Sequence, residues 1–173
     1  PEKALRAVRA LPLADDEELT VRFDQNRLAA DAGTARVVSQ LLDGVYPNWE
    51  RVLPSEPTRV WTVDRSELMD HVKRAMILAR DSANRVRFSG QDDKVRVDAR
   101  SEEKGESHEF LAAVMKNGEI DIAFNGKYVE DALRAMKAEG VRIELNESMR
   151  PAVFRPMGDS VNQLCVIMPM ALS

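Results

Sequence analysis

Cysteine occurs once in the 173 residues, at Cys165, and histidine twice, at His71 and His108. An internal disulfide is therefore impossible, and these residues give no ligand set at zinc-type spacing. Aromatic residues are sparse at 5% of the chain. No run approaches the roughly 20 consecutive apolar residues of a bilayer-spanning helix. The first nine residues carry Lys3, Arg6 and Arg9 and no apolar signal core, which argues against a secretory leader. Charge of one sign is missing too: 25 basic against 29 acidic residues leave a net −4. Such a balance excludes a chain coated with positive charge for general nucleic-acid binding, so any such contact must come from local asymmetry. Neither G-x-x-x-x-G-K-[ST] nor G-x-S-x-G occurs. The acidic run Asp15-Asp16-Glu17-Glu18 reads as solvated surface, and Cys165 lies in an apolar run as an inert core thiol. His71 and His108 show no partner base or nucleophile, so a hydrolase built on Asp64, His71 or His108 ranks last among the readings. The expectation is a globular, non-catalytic, cytoplasmic protein with no cofactor, no metal and no membrane segment.

What is present is punctuation and repetition. Pro47, Pro54 and Pro57 fall close together, each removing a backbone donor and biasing the preceding residue towards extended backbone. The segment Asp43 to Pro57 is expected to be an extended linker dividing residues 1–54 from 55–173. Beyond it a strand at Thr58 to Val63 precedes a helix capped by Ser66 and running to about Arg80. Strands follow at Arg85 to Ser89, Lys94 to Ala99 and Glu109 to Met115. The order then repeats: a strand at Ile120 to Phe124, a break at Asn125-Gly126, a helix from Lys127 to Glu139, and strands at Val141 to Leu145, Ala152 to Arg155 and Gln163 to Met168. The first segment supplies a partial copy, with a helix at Glu2 to Ala10 and strands near Leu19 to Phe23, Arg27 to Ala32 and Arg36 to Leu41. Each copy begins its first post-helix strand with valine, arginine and an apolar residue, at Val21-Arg22-Phe23, Val86-Arg87-Phe88 and Val141-Arg142-Ile143. This pattern implies an α+β fold of duplicated βαβββ units whose antiparallel sheets pair edge to edge. The first copy lacks its opening strand, so the chain is expected to begin inside a domain.

Three stretches carry a family resemblance: Tyr46-Pro47-Asn48-Trp49-Glu50-Arg51-Val52-Leu53-Pro54, Phe124-Asn125-Gly126-Lys127-Tyr128 and Val166-Ile167-Met168-Pro169-Met170. In this order and spacing the chain resembles the C-terminal half of the bacterial DNA polymerase III β subunit, the replication sliding clamp. The resemblance implies a DNA-clamp fold with helices on one face of antiparallel sheets, residues 1–54 completing a second domain and 55–173 forming a third. It also implies a homodimeric ring that encircles double-stranded DNA without sequence preference and acts as a non-catalytic processivity factor. A hydrophobic cleft would accept short motifs of DNA polymerase III α and clamp-loader subunits, other DNA polymerases, and mismatch repair and ligase proteins. Its residues by resemblance are Pro47, Arg51, Val52, Asn125, Tyr128, Met149, Pro151, Val166, Ile167, Met168, Pro169, Met170 and Leu172. Ile77 and Leu78 match the dimer face. Two positions depart from many members: Ala171 replaces a basic residue, and Ala83 an aromatic.

Helix charge gives an independent reading. Lys3, Arg6 and Arg9 share one helical face, Lys73, Arg74 and Arg80 outnumber the acids of the second helix, and Arg134 and Lys137 lie on or just beyond the third. Cations turned towards the hole of a ring would attract phosphates without reading bases, as a sliding protein needs. The alternative is a generic nucleic-acid-binding α+β module.

Overall fold

A computed structural model describes residues 1–46, 48–53, 56–158 and 162–172. The chain forms two compact units, Pro1–Pro47 and Asn48–Ser173. Within the expected extended linker, Trp49–Val52 instead forms a 3-10 turn that belongs to the second unit.

The first unit consists of helix α1 (Glu2–Arg9) and an antiparallel meander of β1 (Thr20–Phe23), β2 (Arg27–Ala32) and β3 (Ala35–Gln40). Asp24 makes the β1–β2 turn by accepting the backbone N–H groups of Asn26 and Arg27, each at 2.8 Å. Those bonds hold its carboxyl below the ordinary carboxylate range. Only Ala30 and Ala32 are buried here, whereas Phe23 is 78% exposed.

The second unit contains two βαβββ copies. β4 (Arg59–Asp64), α2 (Arg65–Ala79), β5 (Arg85–Gln91), β6 (Lys94–Ser101) and β7 (Gly105–Ala112) form the first, followed by the short β8 (Val114–Lys116). β9 (Ile120–Asn125), α3 (Gly126–Ala135), β10 (Gly140–Leu145), β11 (Ala152–Pro156) and β12 (Cys165–Ile167) form the second. The copies exchange their opening strands. β4 pairs with β10, in the sheet ordered β12-β11-β10-β4-β8, and β9 pairs with β5, in the sheet ordered β7-β6-β5-β9. Every ladder is antiparallel. The sheets meet edge to edge at one bridge, where Met170 N–H donates to Ala123 C=O at 2.7 Å.

Local chemistry moves several expected boundaries. The carboxylate of Asp64, rather than Ser66, caps α2 by accepting Glu67 N–H at 2.7 Å. α3 ends at Ala135, short of Glu139, and Arg65 donates to the carbonyls of Leu133 (3.3 Å) and Ala138 (2.6 Å), satisfying acceptors at and just beyond its end. The expected strand through Met115 is two strands, separated at buried Ala113, whose N–H turns to Asp93 C=O at 2.8 Å.

Alternation places Val86, Phe88, Val95, Val97 and Leu111 beneath the helices and charged residues on the opposite sheet face. Phe88, Phe124 and Phe154 form an edge-to-face series with centroids 5.6 and 5.9 Å apart, crossing from one sheet to the other. Buried Trp61 places its polar end by donating to Gly118 C=O at 2.7 Å. That approach requires Gly90, where a Cβ would lie 2.2 Å from the same oxygen and 2.6 Å from the Trp61 ring. Gly126, expected to break the chain, is instead the first residue of α3; a Cβ there would meet Met76 Sδ at 2.5 Å.

Candidate peptide-docking surface

The register of the second unit gathers three of the expected cleft segments. Ala152 pairs with Ile167, so Pro151 and Met168 follow as neighbours at the open edge of the five-stranded sheet. Met170 bonds back to Ala123, two residues before Asn125, and Asn125 caps α3 by accepting Lys127 N–H at 3.0 Å. Tyr128 stands 60% exposed on the first turn of α3, and Met168 is equally exposed on its side of the bridge. Pro169 and Met170 are half-buried, as is Val166 on β12, and Met149 is exposed in the β10–β11 turn. An apolar surface with flexible methionine side chains results, which suits side chains of a docking peptide.

A depression of about 850 Å³ adjoins the β10–β11 turn. Arg51, Val52 and Leu53 of the 3-10 turn line it together with Thr58, Arg59, Asn146, Glu147, Arg150 and Pro151. Its wall is stiff. Arg59 donates to the carbonyls of Glu119 (3.0 Å) and Asn146 (2.5 Å), and the Asn146 carboxamide oxygen accepts Thr58 N–H at 2.7 Å. Arg59, Asn146, Glu147 and Arg150 are absent from the sequence-based set. The one available signal was the polar run Asn146 to Arg150 between two apolar strands.

Two expected cleft residues lie elsewhere. Ile167 is 4% exposed and belongs to the core, because strand alternation turns it inward beneath β11. Leu172 lines a separate depression on the outward face of β5–β7, with Arg85, Arg87, Arg100 and His108. Pro47 lies outside the described residues.

The expected DNA-facing cations divide by pairing. Arg6 is paired with Glu2, Lys73 approaches Asp70 at 4.0 Å, and Arg134 is paired with Glu130 and Asp131. Arg74 makes a two-pronged pair with Glu109 of β7 at 2.8 and 3.0 Å, so it braces an edge strand. Lys3, Arg9, Arg80 and Lys137 are exposed and have no ion-pair partner among the described residues. At the expected dimer face Ile77 is 61% exposed, while Leu78 packs partly against the core.

Both histidines do have carboxylate neighbours, contrary to the sequence reading. His71 Nδ1 donates to Glu67 C=O at 2.6 Å and its Nε2 lies 3.5 Å from Glu109. His108 Nδ1 lies 2.7 Å from Asp98. The Arg74 guanidinium beside Glu109 holds that carboxyl below its ordinary range, and burial pushes the Cys165 thiol up. These contacts tie helix to sheet and strand to strand. Among the described residues no group of His, Cys, Asp and Glu could hold a metal ion, and no helix is long and apolar enough to cross a membrane.

Paired helices on one face of two antiparallel sheets that exchange opening strands define a duplicated clamp-type α+β domain. Residues 50–171 match the family described as DNA polymerase III beta subunit, C-terminal domain, and the chain belongs to that family. The beta sliding clamp of Staphylococcus aureus is 33% identical over 167 residues, covering 95% of this chain and 44% of that protein. The clamp of Synechococcus elongatus is 28% identical, covering 99% and 47%. The crystal structure of the DNA polymerase III subunit beta from Pseudomonas aeruginosa superposes with a TM-score of 0.86 at 27% identity, covering 99% of this chain and 47% of that one. The chain thus spans about half the length of the relatives it matches, and those relatives are named as clamps, not as catalysts.

Proposed function

We propose that the chain is the C-terminal half of a sliding clamp, with residues 1–54 from the second domain and 55–173 forming the third. In the whole protein it encircles double-stranded DNA as a homodimeric ring and docks DNA polymerases, clamp-loader subunits and repair proteins. The observation that carries this reading is the bridge from Met170 to Ala123, which holds Met168 to Met170 beside Asn125 and Tyr128. A peptide with leucine and phenylalanine anchors would bury them there and against Val52 and Pro151, each gaining roughly 1.5–3 kcal/mol before ordering costs. Micromolar affinity follows, and it allows partners to exchange. Ile77, with Leu78 behind it, would face the partner protomer, and a protein working on chromosomal DNA would reside in the cytoplasm at the nucleoid.

Fluorescence polarisation with such a peptide tests the docking surface. Met168→Ala combined with Tyr128→Ala should abolish binding while the circular dichroism spectrum is retained. Undiminished binding by that variant removes the assignment. DNA binding should be weak and sequence-independent, and it should fall steeply with salt, because it rests on phosphate contacts alone. Lys3→Ala with Arg9→Ala, or Arg80→Ala with Lys137→Ala, should lower it further. Sequence-selective binding that survives 200 mM salt would favour the generic nucleic-acid-binding module instead.

A further inference from the structure

Arg51 and Arg150 face the same depression from different elements, one on the 3-10 turn and one in the β10–β11 turn. Both are exposed, and neither takes part in an ion pair among the described residues. Arg59, the third guanidinium of the lining, is committed to backbone carbonyls, and Glu147 is the lining's single carboxylate. Val52 and Pro151 supply apolar surface between the two free cations. A guanidinium offers a planar fork of donors that matches a carboxylate, and two of them over an apolar floor favour a ligand with an acidic group beside an apolar anchor. We propose that this depression reads an aspartate or glutamate side chain of the partner peptide, placed next to its apolar anchor, through Arg51 and Arg150. The inference rests on the peptide-docking reading and adds a charge preference to it. Glu147 opposes that preference and so limits it to the correct spacing.

The test uses three fluorescein-labelled hexapeptides, amidated at the C-terminus, with the same leucine and phenylalanine anchors and aspartate, asparagine or lysine next to the leucine. At about 50 mM NaCl the aspartate peptide should bind roughly three- to fivefold tighter than the asparagine peptide, the range of an exposed ion pair, and the gap should close by about 0.5 M. Arg150→Glu should reverse the order so that the lysine peptide binds best, and Glu147→Gln should widen the wild-type gap. Equal binding of all three peptides, still lost in the Met168→Ala, Tyr128→Ala double variant, overturns the charge preference and leaves the docking surface standing. Absence of binding by any of them, or binding indifferent to that double variant, overturns both. If Arg150→Glu instead weakens a 20-base-pair duplex and leaves the peptide order intact, the arginines serve phosphate and the proposal fails.

Discussion

The valine-arginine-apolar strand start has opposite fates in the two units. In the second unit Val86 and Phe88, and likewise Val141 and Ile143, are all but inaccessible. In the first, Val21 is 45% and Phe23 78% exposed. The difference is not in the strands, which share composition and antiparallel pairing, but in what lies on their other side. β5 and β10 each receive the opening strand of the opposite copy and a helix above, whereas β1 pairs with β2 alone among the described residues. A strand motif offers apolar surface; burial comes from a neighbouring element that covers it.

Amide hydrogen exchange should show this contrast most strongly. β5 and β10 are expected to exchange only with global unfolding of the second unit, and β1 through local opening several orders of magnitude faster. Equal protection would break the comparison. Phe88→Ala should lower stability by about 3–5 kcal/mol in urea unfolding, while Phe23→Ala should stay within about 0.5 kcal/mol, since only the former opens a cavity. Next comes Gly90→Ala. Its Cβ would press on a backbone oxygen and a buried indole, so a loss of about 1–3 kcal/mol is expected in the same assay.

A smaller effect is expected from the brace of the edge strand β7. Glu109→Gln should lower Tm by roughly 2 °C at pH 7. Because Arg74 holds the folded-state pKa of Glu109 below its ordinary 4.5, the unfolded chain binds more protons in between, and the stabilisation is present above pH 4.5 and lost as the pH falls. The gap between variant and wild type should therefore close on acidification; a gap that grows towards low pH would contradict the brace. Smallest of all is Ala83→Gly. Ala83 sits at φ 54° just after α2, a left-handed conformation that costs a side chain about 1 kcal/mol, so the variant should gain up to about 0.5 kcal/mol after its greater unfolded-state entropy.

The repeat was legible because its signals are local. Period-two alternation along Ile120 to Phe124, helical spacing of Leu68, Val72, Ala75 and Ala79, and the Asn125 cap each depend on residues a few positions apart, and each matches an observed element. Where two candidates competed at short range the reading slipped, as at Asp64 against Ser66, because both side chains are able caps and backbone geometry chooses between them. The end of α3 slipped for a different reason. Lys137 and Glu139 carry helical propensity, but the chain turns extended at Met136, and Arg65, distant in sequence, holds the carbonyls of Leu133 and Ala138.

The docking surface divides in the same way. Met168, Met170, Asn125 and Tyr128 could be named from their motifs, while Arg150 and Glu147 could not, since a charged turn residue looks the same in sequence whether it faces a groove or open solvent. By itself the amino-acid sequence determined the number and kind of elements, their duplication, the family, and the absence of a disulfide. Only the tertiary structure decided that the copies trade opening strands, that Ile167 is core while Met168 is surface, that Arg74 braces β7, and which cations remain unpaired. The physical reason is range. Propensity, capping and alternation act over a few residues, whereas burial and charge pairing depend on partners that are tens of residues away along the chain and become neighbours only when the sheets close.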